Sequence, residues 1–332
     1  MSRVGSPARS PDYRLAINGQ QITPRVRGRL QRLTLTDRRG FEADQLDLVL
    51  TDDDGQLALP RRGVEIQVAI GWSGEPLTQR GTFIVDEVEH SGAPDILSIR
   101  ASSADMRGTL PGKRTQSWHG TTIGDVVATI AKRHDLTPKA GTNLTGIRIG
   151  HIDQTEEIDM HFLTRLAERY DAVTTVKAGN LLFIPAGQAT TANGLEIPPI
   201  IIRRQDGDQH RYSSADRENY SGVIAKWNDV SGAKLKEVIA GVNENPKRLR
   251  PTYASEADAL AAARAEWQRL QRGLAEFSLT LAEGRPDIYP ETPARCYGWK
   301  REIEETEWLL TEVRHHIGDG GYTNSLQFEV RS

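Results

Sequence analysis

Two adjacent histidines, His315 and His316, are the most ligand-like residues of this 332-residue chain. They continue the alternating segment Trp308 to Arg314, whose pattern predicts a β-strand. Neighbouring side chains on a strand point to opposite faces, so the two imidazoles cannot easily share one metal ion. We therefore predict a structural role for the pair. The other histidines considered as ligands are scattered without ligand spacing: His119, His134, His151, His161 and His210.

Acidic clusters suggest two further kinds of chemistry, calcium binding and glycoside hydrolysis. The run from Asp52 to Gly55 lacks the alternating spacing and the late glutamate of a calcium loop, which favours a solvated turn. A catalytic acid would need an apolar pocket to raise its pKa, and the sequence shows none, although counting carboxylates does not exclude a glycosidase pair. Four glutamates between Trp299 and Trp308 predict a charged hairpin tip: Glu302, Glu304, Glu305 and Glu307.

Other catalytic motifs are missing from the sequence. It contains no G-x-S-x-G elbow, no H-E-x-x-H zinc motif and no P-loop. The glycine-rich run from Gly318 to Gly321 lacks a following Lys-Ser/Thr, which favours a hairpin loop. Cys296 is the single cysteine, so neither an internal disulfide nor a Cys-rich zinc site can form, and we predict that it is buried. We predict no catalytic, cofactor-binding or metal-binding residue, no cofactor and no enzymatic activity.

Positive charge is concentrated at the start of the chain. The net charge is −3, yet residues 1–40 hold nine arginines, two aspartates and no lysine. Such a basic arm could meet an acidic partner surface; the alternative is a solvated, arginine-rich strand face. The overall charge does not indicate specific nucleic-acid binding. No segment is apolar enough for a membrane-spanning helix or a signal peptide, so we expect synthesis in a cytoplasm and no membrane insertion.

Hydrophobic periodicity divides the chain into three regions. The first hundred residues contain alternating segments such as Val64 to Ile70, separated by Gly and Pro, which is typical of a barrel or sandwich. Residues 110–190 show two helical patterns and a hairpin, and the first helix begins at a capping box of Thr122 and Asp125. The last third returns to strands, interrupted by a helix near 255–272.

A repeated order of segments links the first and last regions. Gly71-Trp72 precedes a strand that ends in Glu87-Val88-Glu89-His90, and Gly298-Trp299 precedes a strand that ends in Glu312-Val313-Arg314-His315. We therefore predict an α+β, mainly β fold in which two similar antiparallel β-barrel domains, 1–109 and 196–332, flank a small α+β domain, 110–195.

These segments resemble the phage late control D protein family. The resemblance is carried by residues 40–48 and 81–95, by residues 152–167, and by Val223 to Trp227 and Glu307 to His315. It covers roughly residues 10–330, and the shared order of the segments is more specific than any single motif. That family forms the central hub of contractile tail baseplates in P2-like phages and in phage-derived, pyocin-like bacteriocins. It is also similar to the front part of type VI secretion spike proteins.

The resemblance implies a structural protein of a virion or tailocin particle, made in a bacterial host cytoplasm. It implies two tube-like barrels per chain in a homotrimer, and therefore six barrels that adapt a hexameric tail tube to a trimeric central spike. Because the sequence ends at Ser332, we expect the spike to be a separate polypeptide. The tape measure and baseplate wedge proteins are further expected partners. In this setting Arg25, Arg27 and Arg29 are candidate partner contacts, lining the channel or meeting an acidic tube or tape-measure surface.

Three other functions remain open on the sequence. A tail-associated peptidoglycan hydrolase would need a cleft with a perturbed carboxylate. A receptor- or glycan-binding tip module would need an exposed aromatic platform, whereas the six tryptophans lie mostly within predicted strands or helices. A fragment of a type VI spike is disfavoured by the alternating final strand, Leu326 to Val330.

Overall fold

The computed structural model describes residues 9–40, 44–104, 112–177, 179–214, 220–229 and 232–331. Three features of the sequence lie outside these ranges. They are residues 1–8 of the basic start, residues 41–43 of the segment that carries the resemblance, and the expected domain boundary between 109 and 110.

Strands dominate the described chain and helices are few, which confirms the predicted mainly β, α+β class. The first region contains β1 (Pro11–Ile17), β2 (Gln20–Gln21), α1 (Thr23–Val26), β3 (Leu30–Arg38), β4 (Gln45–Thr51), β5 (Glu65–Trp72), β6 (Thr78–Ser91) and β7 (Ile96–Ser103). The central region contains β8 (Lys113–Thr122), α2 (Ile123–Arg133), β9 (Thr137–Ala140), α3 (Thr142–Thr145), β10 (Arg148–Ile158), α4 (Asp159–Arg169), β11 (Ala172–Lys177) and β12 (Asn180–Pro185). The last region contains β13 (Ile200–Arg203), β14 (Gly207–Ser214), β15 (Gly222–Asp229), β16 (Lys234–Gly241), β17 (Pro246–Tyr253), α5 (Glu256–Arg272), β18 (Ala275–Leu281), β19 (Pro293–Tyr297), α6 (Arg301–Glu304), β20 (Trp308–Gly318) and β21 (Gly321–Val330).

Alternation along the strands decides which face is buried. In β4, Leu46, Leu48 and Leu50 are buried while the residues between them keep partial exposure. In β21, Leu326 and Phe328 alternate with more exposed neighbours in the same way. Because side chains on a strand alternate between the two faces of a sheet, each of these strands turns one apolar face to a core and one polar face outward.

Strands of the first and last regions join into one 13-stranded sheet. Its path is β14–β18–β21–β20–β3–β4–β7–β6–β5–β1–β2, with β19 and β13 attached beside β20. The two regions meet where β3 pairs antiparallel with β20, from Arg38 opposite Glu312 to Arg32 opposite Gly318.

The prediction of two barrels is corrected in one respect: among the described strands neither half closes on itself. Strand β20 is long enough to have two partners on one edge. Its first residues, Trp308 and Leu309, pair with β19, whereas the segment from Glu312 to Gly318 pairs with β3. The part of this β20 edge beyond β19 therefore joins the first half, and the end strands of the second half, β13 and β14, do not pair with each other among the described strands.

The two halves of the sheet repeat the same strand order. The neighbours run β3–β4–β7–β6–β5–β1 in one half and β14–β18–β21–β20–β19–β13 in the other, and corresponding strands follow one another along the chain in the same sequence. A bulge occurs at the corresponding place in β6, between Val85 and Glu87, and in β20, between Leu310 and Glu312. The predicted repeat thus extends over six strands. It departs at one pair, because β1 is antiparallel to β5 whereas β13 is parallel to β19.

The cores beneath the two halves are interlocked. The first core contains Phe83 and its neighbours, but it also takes in Ile317 and Tyr322 from the β20–β21 hairpin. The second core centres on Phe277, Trp308 and other residues of the last region. The tip of the last hairpin therefore packs in the core of the first region.

The central region forms its own α+β unit. Helix α2 begins at the predicted capping box: the Asp125 amide donates to the Thr122 hydroxyl (3.1 Å), and the Thr122 amide donates to the Asp125 carboxylate (3.1 Å). Helices α2 and α4 bury their apolar faces around Phe162 against the β10–β8 and β11–β12–β9 sheets. Every side chain of this core lies between Trp118 and Phe183.

Helix α5 confirms the helix predicted near 255–272. Ser255 caps it by accepting a hydrogen bond from the Asp258 amide (3.2 Å). The helix packs on a separate three-stranded sheet, β16–β15–β17, which the chain inserts between β14 and β18. The division of the chain into domains at 109/110 and 195/196 stays a prediction.

Candidate functional site

The outward face of the 13-stranded sheet carries a row of paired polar side chains. Across adjacent strands, Glu87 lies opposite Arg100, and Arg100 lies opposite Asp47. The Arg100 guanidinium donates to Glu87 (2.7 Å) and to Asp47 (3.1 Å). The pairing of β3 with β20 is called the joint of the two halves. The row of polar side chains continues across this joint, where the Thr34 hydroxyl lies 3.2 Å from His316 Nδ1. This face is polar and mixed in charge, and it is continuous from the first half to the second.

The second half presents the corresponding face. Glu312 of β20 accepts a hydrogen bond from Arg38 (2.9 Å) across the joint and another from Arg314 (3.2 Å). Next to it, the shallow depression over β14, β18 and β21 is lined by Arg211 and Ser278 together with other side chains of those strands. The depression contains both signs of charge, with Arg211 near Glu276 and Glu329, so this face lacks the uniform positive charge that binds phosphate backbones.

The two adjacent histidines point to opposite faces of β20, as the sequence predicts. His315 is fully buried, and its Nδ1 lies 2.7 Å from the Tyr322 hydroxyl and 2.8 Å from the Asn324 side-chain amide. Burial lowers the pKa of His315 well below its usual value, which keeps the ring neutral. His316 projects to the opposite, polar face beside Thr34. The two imidazoles are therefore separated by the sheet.

The acidic clusters are engaged by groups of the same chain. In the turn after β4, Arg29 donates to Asp54 through both terminal nitrogens (2.6 and 2.5 Å), and this hydrogen bonding lowers the pKa of Asp54 to about 2. Asp52 is buried and accepts a hydrogen bond from the Leu57 amide (2.9 Å). Of the four late glutamates, Glu304 accepts a hydrogen bond from the Trp299 amide (3.1 Å). The predicted hairpin tip contains the short helix α6.

A buried ion-pair cluster joins three parts of the chain. Arg39, just after β3, lies 2.5 Å from Glu291 and donates to Glu329 of β21 (2.7 Å). Arg272, at the end of α5, approaches Glu329 (3.3 Å) and donates to Asp171 of the central unit (2.7 Å). Burial raises the pKa of Glu291. Its carboxylate faces an arginine in the interior rather than a cleft, which fits a structural role.

A second set of contacts closes the seam between the two halves. The Arg80 side chain is buried, forms an ion pair with Asp37 and donates to the Pro286 carbonyl (3.0 Å). The Trp72 indole donates to the Gly284 carbonyl (2.9 Å). The Arg80–Asp37 pair lies within the first half, whereas the hydrogen bonds from Arg80 and Trp72 reach carbonyl groups of the last region. Separating the two halves would therefore leave these two donors without their carbonyl acceptors, which is costly for buried groups.

The three candidate arginines are held in different ways. Arg27 forms an ion pair with Asp12 of β1 (2.6 Å), and Arg29 is bound by Asp54. Arg25, in the last turn of α1, is exposed, and no ion pair of its side chain is found among the residues that the structure describes. Among the described residues, Arg25 is therefore the one of the three that no carboxylate of the chain holds; the role of all three as partner contacts stays a prediction.

One contact was missed because only strand pairing creates it. His119 and His151 lie opposite each other on β8 and β10, with ring centroids 4.4 Å apart, and His151 contacts Asp153 (3.0 Å). Their separation of 32 positions in the sequence gives no local signal. Within the described ranges no group of three or more His, Cys, Asp or Glu side chains is arranged to hold a metal ion. In the same ranges no helix is both long and apolar enough to span a membrane.

Comparison with known proteins decides the family. A family model described as the phage tail baseplate hub (GPD) matches residues 40–321. The chain belongs to the phage tail baseplate hub family. It is 46% identical to the probable baseplate hub protein of Escherichia phage P2, over 97% of this chain and 94% of that protein. The probable baseplate hub protein of Escherichia phage 186 is equally similar, at 46% identity over 97% of this chain and 93% of the relative.

Solved structures agree with this family at the level of the fold. A tail protein from Neisseria meningitidis MC58 superposes with a TM-score of 0.71 at 14% identity, covering 96% of each chain. The 43 kDa tail protein of prophage MuSo2 from Shewanella oneidensis gives 0.70 at 16% identity, covering 96% of this chain and 98% of that one. The E. coli protein c3393, a type VI secretion component with structural similarity to T4 tail proteins gp27 and gp5, gives 0.58 at 14% identity, covering 96% and 77%. The comparisons thus assign the chain to the hub family, and the solved structures share its fold.

Proposed function

We propose that this chain is the structural hub of a contractile tail baseplate, in a phage or a phage-tail-like bacteriocin, and that it acts as a homotrimer. Each chain contributes its two repeated half-sheets, so a trimer presents six similar units around one axis. Such a ring offers approximate sixfold symmetry to a hexameric tail tube while keeping threefold symmetry toward a trimeric central spike. The hub thereby joins two partners of different symmetry without a mismatch.

The repeat of six strands is the observation that carries this proposal. Two half-sheets with the same neighbour order are fused edge to edge through β3 and β20. A molecule that needed only one binding surface would not require the same sheet twice. Each half-sheet would form one sixth of a ring, so one chain would supply a third of it. Closing such a ring covers the exposed sheet edges that a single copy retains.

The same proposal places the three domains and the remaining partners. Residues 1–109 and 196–332 supply the two tube-like units, and residues 110–195 form the α+β domain between them. The trimeric spike, the tape measure protein and the wedge proteins contact the hub within the particle. Of the three candidate arginines, Arg25 is exposed and has no ion pair within the described residues, so it is the leading candidate for a contact with an acidic tube or tape-measure surface. No catalytic role is assigned to any residue.

Light scattering on the purified full-length chain tests the proposal, first alone and then with the spike protein encoded beside it. The chain has a mass of 36.8 kDa, so we expect about 110 kDa for the trimer or a complex of three chains with three spike chains. A chain that stays monomeric at all concentrations and ignores the spike would contradict the adaptor function. Clearing of cell-wall substrate by the purified protein would favour the peptidoglycan hydrolase instead.

A further inference from the structure

Several strand edges of the large sheet have no partner among the described residues, and two of them are related by the repeat. One is the outer edge of β14, whose other edge pairs with β18. The second is the part of β6 from Glu87 to Ser91: β7 pairs with it on one side, but on the other side β5 pairs only as far as Ile84. Unpaired edges present rows of free backbone donors and acceptors, which recruit another strand.

The repeat identifies these two edges as counterparts of a joint that already exists. Strand β14 corresponds to β3, since each pairs with the strand that follows it in the half-sheet order, and β6 corresponds to β20. Strands β3 and β20 pair with each other inside the chain. Each half-sheet therefore has one edge like β3 and one edge like β20, but only one of the two possible joints is made within a single chain.

Burial shows what the missing joint would change. In the joined pair, β3 is buried from Leu33 to Asp37, and His315 of β20 is fully buried. In the unjoined counterparts, Arg211 of β14 and His90 of β6 are exposed. Counterpart strands of the two half-sheets thus differ in burial: the strands that form the joint are more buried than the strands that do not.

We propose that β14 of one chain pairs antiparallel with the segment Glu87–Ser91 of β6 in a second copy of this chain. The inference rests on the trimer proposed above and specifies how its chains are joined. In the ring, three joints between chains alternate with three β3–β20 joints within chains. The 13-stranded sheet of each chain then continues into the next, and the outward polar face becomes one closed surface.

The existing joint sets the register of the new one. Within the chain, Thr34 lies opposite His316, Leu35 opposite His315 and Thr36 opposite Arg314. Following the strand pairings across each half-sheet gives the counterpart of each position. On this basis Thr34 of β3 corresponds to Arg211 of β14, and His316 of β20 corresponds to Ser91 of β6. The expected pairs between chains are the following: Arg211 with Ser91, Tyr212 with His90, Ser213 with Glu89, and Ser214 with Val88.

Charge at the new joint is complementary. Arg211 and Ser213 are two residues apart on β14, so both project to the polar face, as Thr34 and Thr36 do in β3. Glu89 of the second copy lies opposite Ser213 and diagonal to Arg211, within reach of its guanidinium. The corresponding position in the existing joint is also polar, with Thr34 beside His316. The joint therefore brings a cation and an anion together at the rim of the polar face.

Disulfide trapping tests the register. The double substitution Ser213→Cys with Glu89→Cys places the two thiols directly opposite each other, and Cys296 is fully buried and does not interfere. Under oxidation we expect most of the full-length chain to run as a covalent trimer on non-reducing gels and to return to monomer on reduction. The matched control pairs Ser213→Cys with Val88→Cys, which differs by one residue and points to the opposite face; we expect at most a trace of linked trimer.

Charge exchange gives an independent measurement. Glu89→Arg places a cation beside Arg211, and because three joints are weakened at once, we expect trimer formation to require about tenfold more protein or more. Adding Arg211→Glu restores the opposite charges and should recover most of the loss. Glu168→Arg, on the exposed face of α4, makes the same charge change in the α+β unit and should leave the trimer intact.

The outcomes separate this inference from the function that it deepens. A wild-type trimer by light scattering without a covalent trimer from the Ser213/Glu89 pair would overturn the joint and leave the hub function standing. Equal trapping by the control pair would overturn the register. A chain that is monomeric alone and with the spike would contradict the trimer itself, and the trapping would then fail for that reason.

Discussion

Carboxylates of the same chain pair with several arginines of the basic start. Arg29 is bound by Asp54, and Arg27 by Asp12, so neither guanidinium is fully available to a partner. Arg25 sits in the same stretch without such a contact in the described part of the chain. The concentration of arginines in residues 1–40 therefore overstates the charge that a partner would meet.

Opposite effects are expected from two charge reversals in this stretch. Arg25→Glu should leave the melting temperature unchanged and impair particle assembly. Arg29→Glu removes the cation that depresses the pKa of Asp54, so this pKa should rise from about 2 to or above its usual value near 3.8. A carboxyl whose pKa is lower in the folded than in the unfolded state stabilises the fold at pH values above its unfolded-state pKa, and this stabilisation disappears as the pH falls through the folded-state pKa. The Arg29→Glu variant should therefore lose stability mainly above about pH 4.

NMR titration of the Asp54 carboxyl and thermal melts at pH 3 and pH 7 check this pair of variants. Normal assembly with Arg25→Glu would remove Arg25 as a partner contact. An unchanged pKa of Asp54 in the Arg29→Glu variant would show that the bidentate pair does not persist in solution.

At the scale of residues, local rules predict what local geometry controls. The opposite orientation of His315 and His316 follows from the two-residue period of a strand, and the Thr122–Asp125 capping box follows from a spacing of three. The clusters around Arg39 and Arg80 could not be predicted in this way. Their members come from distant parts of the sequence, such as Arg39 with Glu291 and Arg80 with the Pro286 carbonyl, and no local spacing connects them.

Among the elements, the seam between the half-sheets depends on a close approach at Gly284. A methyl group at this position would lie 2.5 Å from the ring of Tyr322, closer than real contacts allow, and the Gly284 carbonyl accepts the hydrogen bond of Trp72. Tyr322 in turn packs against Trp72, with ring centroids 5.3 Å apart. The backbone at Gly284 is thus in contact with both halves of the sheet.

Substituting Gly284→Ala should therefore destabilise the chain by about 1–3 kcal/mol, the usual effect of forcing one extra carbon into a packed site. Gly320→Ala is the matched control, because a methyl group there would meet nothing within 4 Å and the backbone needs no left-handed conformation. Urea unfolding followed by tryptophan fluorescence measures both. Equal midpoints for the two variants would show that the seam can relax around the added methyl group.

Elements were predicted better than their partners. Alternation and capping signals located the strands, α2 and α5, and the Glu-Val-x-His motif revealed the repeat. The open, joined sheet was not predicted, because a strand's sequence specifies which face is buried but not which edge it pairs with. The two strands that share one edge of β20, β19 and β3, come from opposite ends of the chain, and no spacing rule connects them.

For the whole molecule, the cores differ in how far they depend on distant chain. The core of the central unit draws every side chain from residues between Trp118 and Phe183. The core of the first region needs Ile317 and Tyr322 from the last hairpin, and strand β3 needs β20 along its edge. The first and last regions should therefore fold together, whereas the central unit can fold alone.

Fragments expressed separately test this dependence. We expect residues 112–195 to unfold cooperatively in urea, because removal of the rest exposes Asp171 to water but takes no side chain from the core. Residues 1–109 should lack a cooperative unfolding transition, because this fragment loses two core side chains and the pairing of β3 with β20. It also loses the Pro286 carbonyl, which accepts a hydrogen bond from the buried Arg80 side chain. Adding residues 196–332 should restore the transition if the two half-sheets reassociate through β3 and β20. If the first fragment folds alone with near-native stability, the β3–β20 joint connects two half-sheets that are each stable without it. The corresponding joint between chains would then contribute less free energy to closing the ring than its strand pairing suggests.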